Sequence, residues 1–275
     1  MNFMNRTNPI GFFDSGIGGL TVVKSVSRLL PNENIIYFGD TARVPYGSKS
    51  NDTVIEYSIQ AANFLLRKNV KLLVVACNTA SAIALKELRR FLTIPVIGMI
   101  EPGAKMAAQT TKNNKIGVIG TRATINNKAY TNELQRLNSK LKIFDSPCPL
   151  FVPLAEEGWI KNKATELIAK EYLLPLKEKE IDTLIMGCTH YPILYEIIQK
   201  VVGKKVQLID SGSPASYLVE NYLSGRGLLN NSNQIGMSEF YVSDIPSKFK
   251  EVAEIFLGKK ITHIHKVELE ELTTE

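Results

Sequence analysis

Leu73-Val74-Val75-Ala76-Cys77-Asn78-Thr79 and Leu184-Ile185-Met186-Gly187-Cys188-Thr189-His190 are two versions of one arrangement, 111 positions apart (188 − 77). Each is an apolar run of strand length followed by a small residue, a cysteine and polar residues, and each continues into helix-like spacing. Both thiols are therefore expected at the carboxyl ends of strands, where open α/β sheets bind their ligands. A lone free cysteine ordinarily serves packing, because it is among the most buried residue types. Two of them at equivalent positions in two related halves point instead to a pair of acid/base groups facing one substrate from opposite sides.

Around these segments the duplication extends. Pro9-Ile10-Gly11-Phe12-Phe13-Asp14 reads as a buried strand entering the glycine turn Ser15-Gly16-Ile17-Gly18-Gly19 and then a helix from about Leu20 to Leu30, and Lys115-Ile116-Gly117-Val118-Ile119-Gly120-Thr121 has the same form at an offset of 106 (116 − 10). Ile100-Glu101-Pro102-Gly103 matches Ile209-Asp210-Ser211-Gly212 at an offset of 109 (209 − 100). Three matches in order indicate an internal repeat. Between them strands and helices alternate: Ile35 to Phe38 and Val96 to Ile100 read as strands, Asp52 to Arg67 as an amphipathic helix, and Ile193, Leu194, Ile197, Ile198 and Val201 keep helical spacing after Pro192. Such alternation predicts an α/β fold of two pseudo-symmetric, doubly wound domains with parallel sheets and the site in the cleft between them. The first domain is expected over 1–102 plus 213–275, the second over 103–212. The returning segment carries predicted helices from Pro214 to Leu223 and from Ser247 to Leu257, and Ile261-Thr262-His263-Ile264-His265 alternates like an edge strand.

With 275 residues, 44% of them hydrophobic, the chain can build a substantial core. Nothing in it reads as a targeting or membrane-spanning segment, so a cytoplasmic protein with no membrane partner is expected. Three cysteines at long spacings form neither a disulfide framework nor a metal knuckle. Cys148, set between Pro147 and Pro149 outside the repeat, reads as structural. The net charge of +6 comes from scattered pairs such as Arg89-Arg90 and Lys204-Lys205, without a basic stripe interleaved with aromatics. No nucleic-acid partner is expected.

Racemisation beside a carboxylate needs a base on one face of the carbon and an acid on the other, and a thiolate and a thiol can exchange these roles. A free thiol has a pKa of about 8.5, so local activation is required. Asp14 at the end of the first strand is a candidate assistant for Cys77, and His190, two residues past Cys188, for the second thiol. Glu156 is ambiguous, since surface carboxylates are the default. Ser15, Asn78, Thr79, Thr121 and Thr189 offer short polar side chains suited to an amino acid, although Thr121 and Thr124 equally suit helix capping. The glycine turn opens a helix and is placed to offer N–H groups to a carboxylate. It is not a dinucleotide fingerprint, because Thr21 stands where GxGxxG needs glycine, and no GxxxxGK[ST] loop occurs. Pro45-Tyr46-Gly47-Ser48 is a turn-forming loop placed to close over the cleft.

Four stretches carry a family resemblance: Phe13-Asp14-Ser15-Gly16-Ile17-Gly18-Gly19-Leu20, Gly39-Asp40-Thr41-Ala42-Arg43-Val44-Pro45-Tyr46-Gly47, Ala76-Cys77-Asn78-Thr79-Ala80 and Gly187-Cys188-Thr189-His190-Tyr191-Pro192. From about Ile10 to Tyr222 the chain resembles the glutamate racemases of the aspartate/glutamate racemase superfamily. The resemblance implies a cofactor-independent enzyme, with neither pyridoxal phosphate nor metal, that supplies D-glutamate for peptidoglycan. It implies Cys77 as the residue handling the proton on the D face and Cys188 as that on the L face, assisted by Asp14, Glu156 and His190. It also implies substrate contacts at Asp14, Ser15, Tyr46, Gly47, Asn78, Thr79, Thr121, Thr189 and His190. A homodimer with glutamate as its ligand is expected. Alternatives are a racemase of another acidic amino acid, a two-domain amino-acid binding protein, which would need no paired thiols, and a redox or metal role, disfavoured by the spacing.

Overall fold

β1 (Ile10–Asp14) is buried along its whole length and is the axis of the first sheet in the computed structural model, which describes residues 5–245, 249–262 and 264–273. Around it lie β2 (Ile35–Gly39), β3 (Leu72–Val75) and β4 (Val96–Gly98). The second sheet contains β5 (Lys115–Gly120), β6 (Lys142–Pro147), β7 (Thr183–Gly187) and β8 (Gln207–Ile209). The chain then returns to the first sheet with β9 (Ser238–Val242) and β10 (Ile264–Lys266). The strand orders are β10-β9-β2-β1-β3-β4 and β6-β5-β7-β8, and every pairing is parallel. Near-continuous Val, Ile, Leu and Phe runs suit such strands because helices cover both faces.

The repeat survives in the register. Ile10 lies opposite Leu72, and Ile116 lies opposite Thr183, so the strand offsets of 106 (116 − 10) and 111 (183 − 72) describe the same pairing in both sheets. The third landmark needs correction. Leu73 pairs with Val96 and Leu184 with Leu208, which relates β4 to β8 at an offset of 112 (208 − 96) rather than 109. Ile100 belongs to helix Ile100–Thr110 and not to a strand, whereas Ile209 ends β8. The prolines carry the true alignment: Pro102 and Pro214 are each the third residue of a helix, in Ile100–Thr110 and Gly212–Gly225. A first-turn proline lacks only an N–H that would be unpaired there.

Alternation along the strands divides the core. Ile10 and Phe12 face one apolar cluster, which also takes in Leu184 and Met186 of β7, while Phe13, Phe38 and Val75 face another. Full burial of each such side chain contributes roughly 1.5–3 kcal/mol. Helix Leu20–Leu29 packs on Gly212–Gly225, and β9 aligns on β2 with Ile35 opposite Ser238. Helix Phe249–Leu257 is present. Ser247 and His263, included in expected elements, lie outside the described residues. Among the described residues, no helix is long and apolar enough to cross a membrane.

Candidate active site

Both repeated cysteines emerge just past their strands. Cys77 follows β3 and caps helix Asn78–Ile83, its Sγ accepting the Ala80 N–H at 3.5 Å while the thiol donates to Ser15 Oγ at 3.4 Å. Cys188 follows β7 at once, with its Sγ 3.8 Å from His190 Nδ1. Both are nearly buried, and both line one cavity of about 480 Å³ between the two sheets. Ser15, Tyr46, Gly47, Asn78, Thr79, Thr121, Glu156, Thr189 and His190 line it too.

Charge is organised unequally around the two thiols. Burial, reinforced by the carboxylate of Asp14, pushes the Cys77 thiol up to about 12. Beside Cys188, burial opposes a charged His190, yet hydrogen bonds to the Cys188 sulfur and to Glu156 outweigh it and raise the imidazole to about 10. Glu156 Oε1 lies 2.8 Å from His190 Nε2, so the ring is held at both nitrogens and its orientation is set.

Asp14, expected among both the assisting and the substrate-contacting residues, sits behind the cavity wall and is fully buried. Burial raises its pKa, against the attraction of His190 and the N–H groups of Gly16 and Gly19. The Gly16 N–H donates to Asp14 Oδ2 at 3.0 Å. Those N–H groups of the glycine turn therefore serve Asp14, not a ligand in the cavity. Close approach explains the glycines: a Cβ on Gly18 would overlap Thr189 Oγ1 and the His190 ring.

The remaining side chains form small fixed networks. Thr79, Thr121 and Thr124 are mutually hydrogen-bonded, with 2.9 Å between the hydroxyls of Thr79 and Thr121 and 3.2 Å between those of Thr79 and Thr124. Thr121 also caps its helix by accepting the Thr124 N–H, so the capping and the cavity readings hold together. Asn78 has its amide committed inward: Nδ2 donates to Ser211 Oγ at 2.9 Å, and Oδ1 accepts from Tyr130 Oη at 2.7 Å. Ser211 and Tyr130 come from the other half of the chain. The expected loop at Tyr46 is a single helical turn, Tyr46–Ser48. Its tyrosine ring is buried, and the hydroxyl donates to Asp40 Oδ2 at 2.5 Å. Asp40 is clamped further by Arg43 Nε at 2.7 Å and Ser243 Oγ at 2.8 Å.

Sequence reading missed Arg122, Val152, Pro149 and Pro153, all on the cavity wall, and the supporting Tyr130, Ser211 and Ser243. Arg122 directly follows Thr121, which was the available signal. Cys148 is fully buried outside the cavity wall, with its carbonyl accepting the Tyr191 hydroxyl at 2.9 Å. Among the described residues, no group of three His, Cys, Asp or Glu side chains is placed to hold a metal ion.

Residues 17–215 match the model of the Asp/Glu/hydantoin racemase family. The chain is 49% identical to a glutamate racemase of Geobacter metallireducens over 95% of its own length and 97% of the relative's. It is 50% identical to that of Chlorobaculum tepidum over 96% and 97%. Its fold superposes with a TM-score of 0.90 on the crystal structure of glutamate racemase from Francisella tularensis subsp. tularensis in complex with D-glutamate, at 44% identity, covering 96% of this chain and 98% of that one. Two sheets of matching order, two strand-end cysteines on one cavity wall and near-full-length similarity lead to one assignment: the chain belongs to the Asp/Glu/hydantoin racemase family and is an amino-acid racemase.

Proposed function

We propose that the protein interconverts L- and D-glutamate by two-base proton transfer through Cys77 and Cys188, without a cofactor. The carrying observation is that equivalent ends of β3 and β7 bring both thiols to one cavity. Related enzymes over nearly the whole chain bear the glutamate racemase name, and one was solved with D-glutamate.

The environments of the two sulfurs favour one resting assignment. Cys77, whose thiol is pushed up to about 12 by burial and Asp14, keeps its proton at neutral pH and is poised as the acid. Cys188 faces an imidazole raised to about 10, a positive neighbour suited to a thiolate base. From L-glutamate, the Cys188 thiolate takes the Cα proton and the C–H electron pair passes into the adjoining carboxylate system. The Cys77 thiol then delivers its proton to the opposite face. This leaves D-glutamate, a Cys188 thiol and a Cys77 thiolate, and the reverse reaction starts from that exchanged state. Thr79, Thr121, Thr189 and the backbone at Tyr46-Gly47 are assigned to hold the substrate, with His190 and Glu156 assisting Cys188 and Asp14 setting the charge around Cys77. In the cell the reaction supplies D-glutamate for peptidoglycan from the cytoplasm, and the enzyme works as a homodimer whose two domains span 1–102 plus 213–275 and 103–212.

The test is to incubate purified protein with each glutamate enantiomer in D₂O with no added cofactor and to follow chirality and isotope together. Both enantiomers should approach the racemate, and product should carry deuterium at Cα; product that kept its original hydrogen would overturn the two-base reading. Turnover of aspartate should be weaker in kcat/KM by about 10- to 200-fold, the discrimination one methylene provides. Equal values would overturn the choice of glutamate.

A further inference from the structure

A second cavity of about 500 Å³ adjoins the catalytic one, and the two share Gly47, Ser48 and Arg122 as a common wall. On one side it is bounded by Lys49 and Ser50 at the start of helix Asn51–Arg67, and on the other by Asn126 of helix Arg122–Asn126. Among the described residues, its wall contains no aspartate or glutamate. Its two cations are not consumed elsewhere: among the described residues neither Arg122 nor Lys49 forms an ion pair, and Lys49 only leans over the Tyr57 ring at 5.9 Å. Arg122 is exposed and, among the described residues, is the one permanent cation on the catalytic cavity's wall.

Inward from Arg122, the catalytic cavity's wall carries the Glu156 side chain against His190, with Asp14 buried behind it. Resting on the function proposed above, the substrate carries two carboxylates and one ammonium, so it approaches this interior as a net anion. A fixed positive charge at a low-dielectric cleft mouth raises the local concentration of such a ligand.

We infer that this second cavity is the antechamber through which acidic amino acids reach the thiols, and that Arg122 is a specificity-determining residue that attracts their carboxylates on entry. Such attraction is long-ranged at low salt and short-ranged at high salt, since the Debye length falls from about 30 Å at 0.01 M to about 3 Å at 1 M.

Steady-state racemisation of L-glutamate should be measured for the parent, Arg122→Gln, Arg122→Lys and Lys140→Gln between about 0.01 and 0.5 M ionic strength. Arg122→Gln is expected to lose about 3- to 10-fold in kcat/KM at the lowest salt, mainly through KM, with the gap closing as salt rises. Arg122→Lys should recover most of that loss, and Lys140→Gln, the same charge change at an exposed site elsewhere, should follow the parent. Parallel salt profiles for Arg122→Gln and the parent, an equal effect of Lys140→Gln, or a loss confined to kcat would overturn the inference. A parent that fails to racemise glutamate at any salt would instead overturn the functional reading on which it rests.

Discussion

Glu156 and His190, 34 residues apart in the chain, meet at 2.8 Å between Oε1 and Nε2. This contact turns a histidine at a strand end into a fixed, charge-retaining neighbour of Cys188. Phe256 meets the same ring edge-on at 5.3 Å, so the returning carboxyl-terminal segment also holds it in place. Burial alone would discharge the imidazole; the sulfur on one side and the carboxylate on the other keep it protonated.

His190 should make stability depend on pH in a particular window. Its folded pKa of about 10 lies above the ordinary 6.5, so its stabilisation is fully present below pH 6.5 and is lost as pH rises through about 10. The pH-dependent part of the destabilisation caused by His190→Asn is expected to be largest below pH 6.5 and to vanish above pH 10. Urea unfolding of parent and variant across that range checks it; a difference that does not change with pH contradicts the pairing.

Replacing either Cys77 or Cys188 with serine should reduce racemisation in both directions by at least about 100-fold, because each turnover uses one group as base and the other as acid. Chiral analysis starting from each enantiomer measures this. Near-parental activity in one variant would remove that residue from the pair.

Tyr46→Phe deletes the 2.5 Å hydrogen bond to Asp40 while leaving the Arg43 and Ser243 contacts. A hydrogen bond to a charged group contributes about 1.5–3 kcal/mol, and a loss of that order is expected in denaturant unfolding. KM should rise more than kcat falls, since the Tyr46–Ser48 turn forms part of the cavity wall.

Cys148→Ala should leave kcat at the parental value and cost about 1–2 kcal/mol of stability for the small void it opens. The Tyr191 hydroxyl binds the Cys148 carbonyl rather than its sulfur, so that contact survives the substitution. Thermal or urea unfolding with parallel kinetics tests both halves; a folded variant with reduced kcat would bring Cys148 into the chemistry.

Local pattern was enough for the alternation of strands and helices, the parallel α/β class, and the two thiols at strand ends, because apolar run length and periodicity report directly on which faces are buried. It was also enough to bring Cys77, Cys188, Thr79, Thr121, Thr189 and His190 together, since each sits within a few residues of a strand's carboxyl end and parallel sheets gather those ends on one side. Tertiary structure alone decided what each side chain faces. It sealed Asp14 behind the glycine turn, joined Glu156 to His190, turned the Asn78 amide toward Tyr130 and Ser211, and set Arg122 between two cavities. It also revealed that β4 and β8 correspond through Pro102 and Pro214, where matching isoleucines had suggested another alignment. Hydrogen-bond partners and charge neighbours depend on atoms brought within about 3–4 Å by packing of distant segments, and no periodicity along the chain encodes that distance.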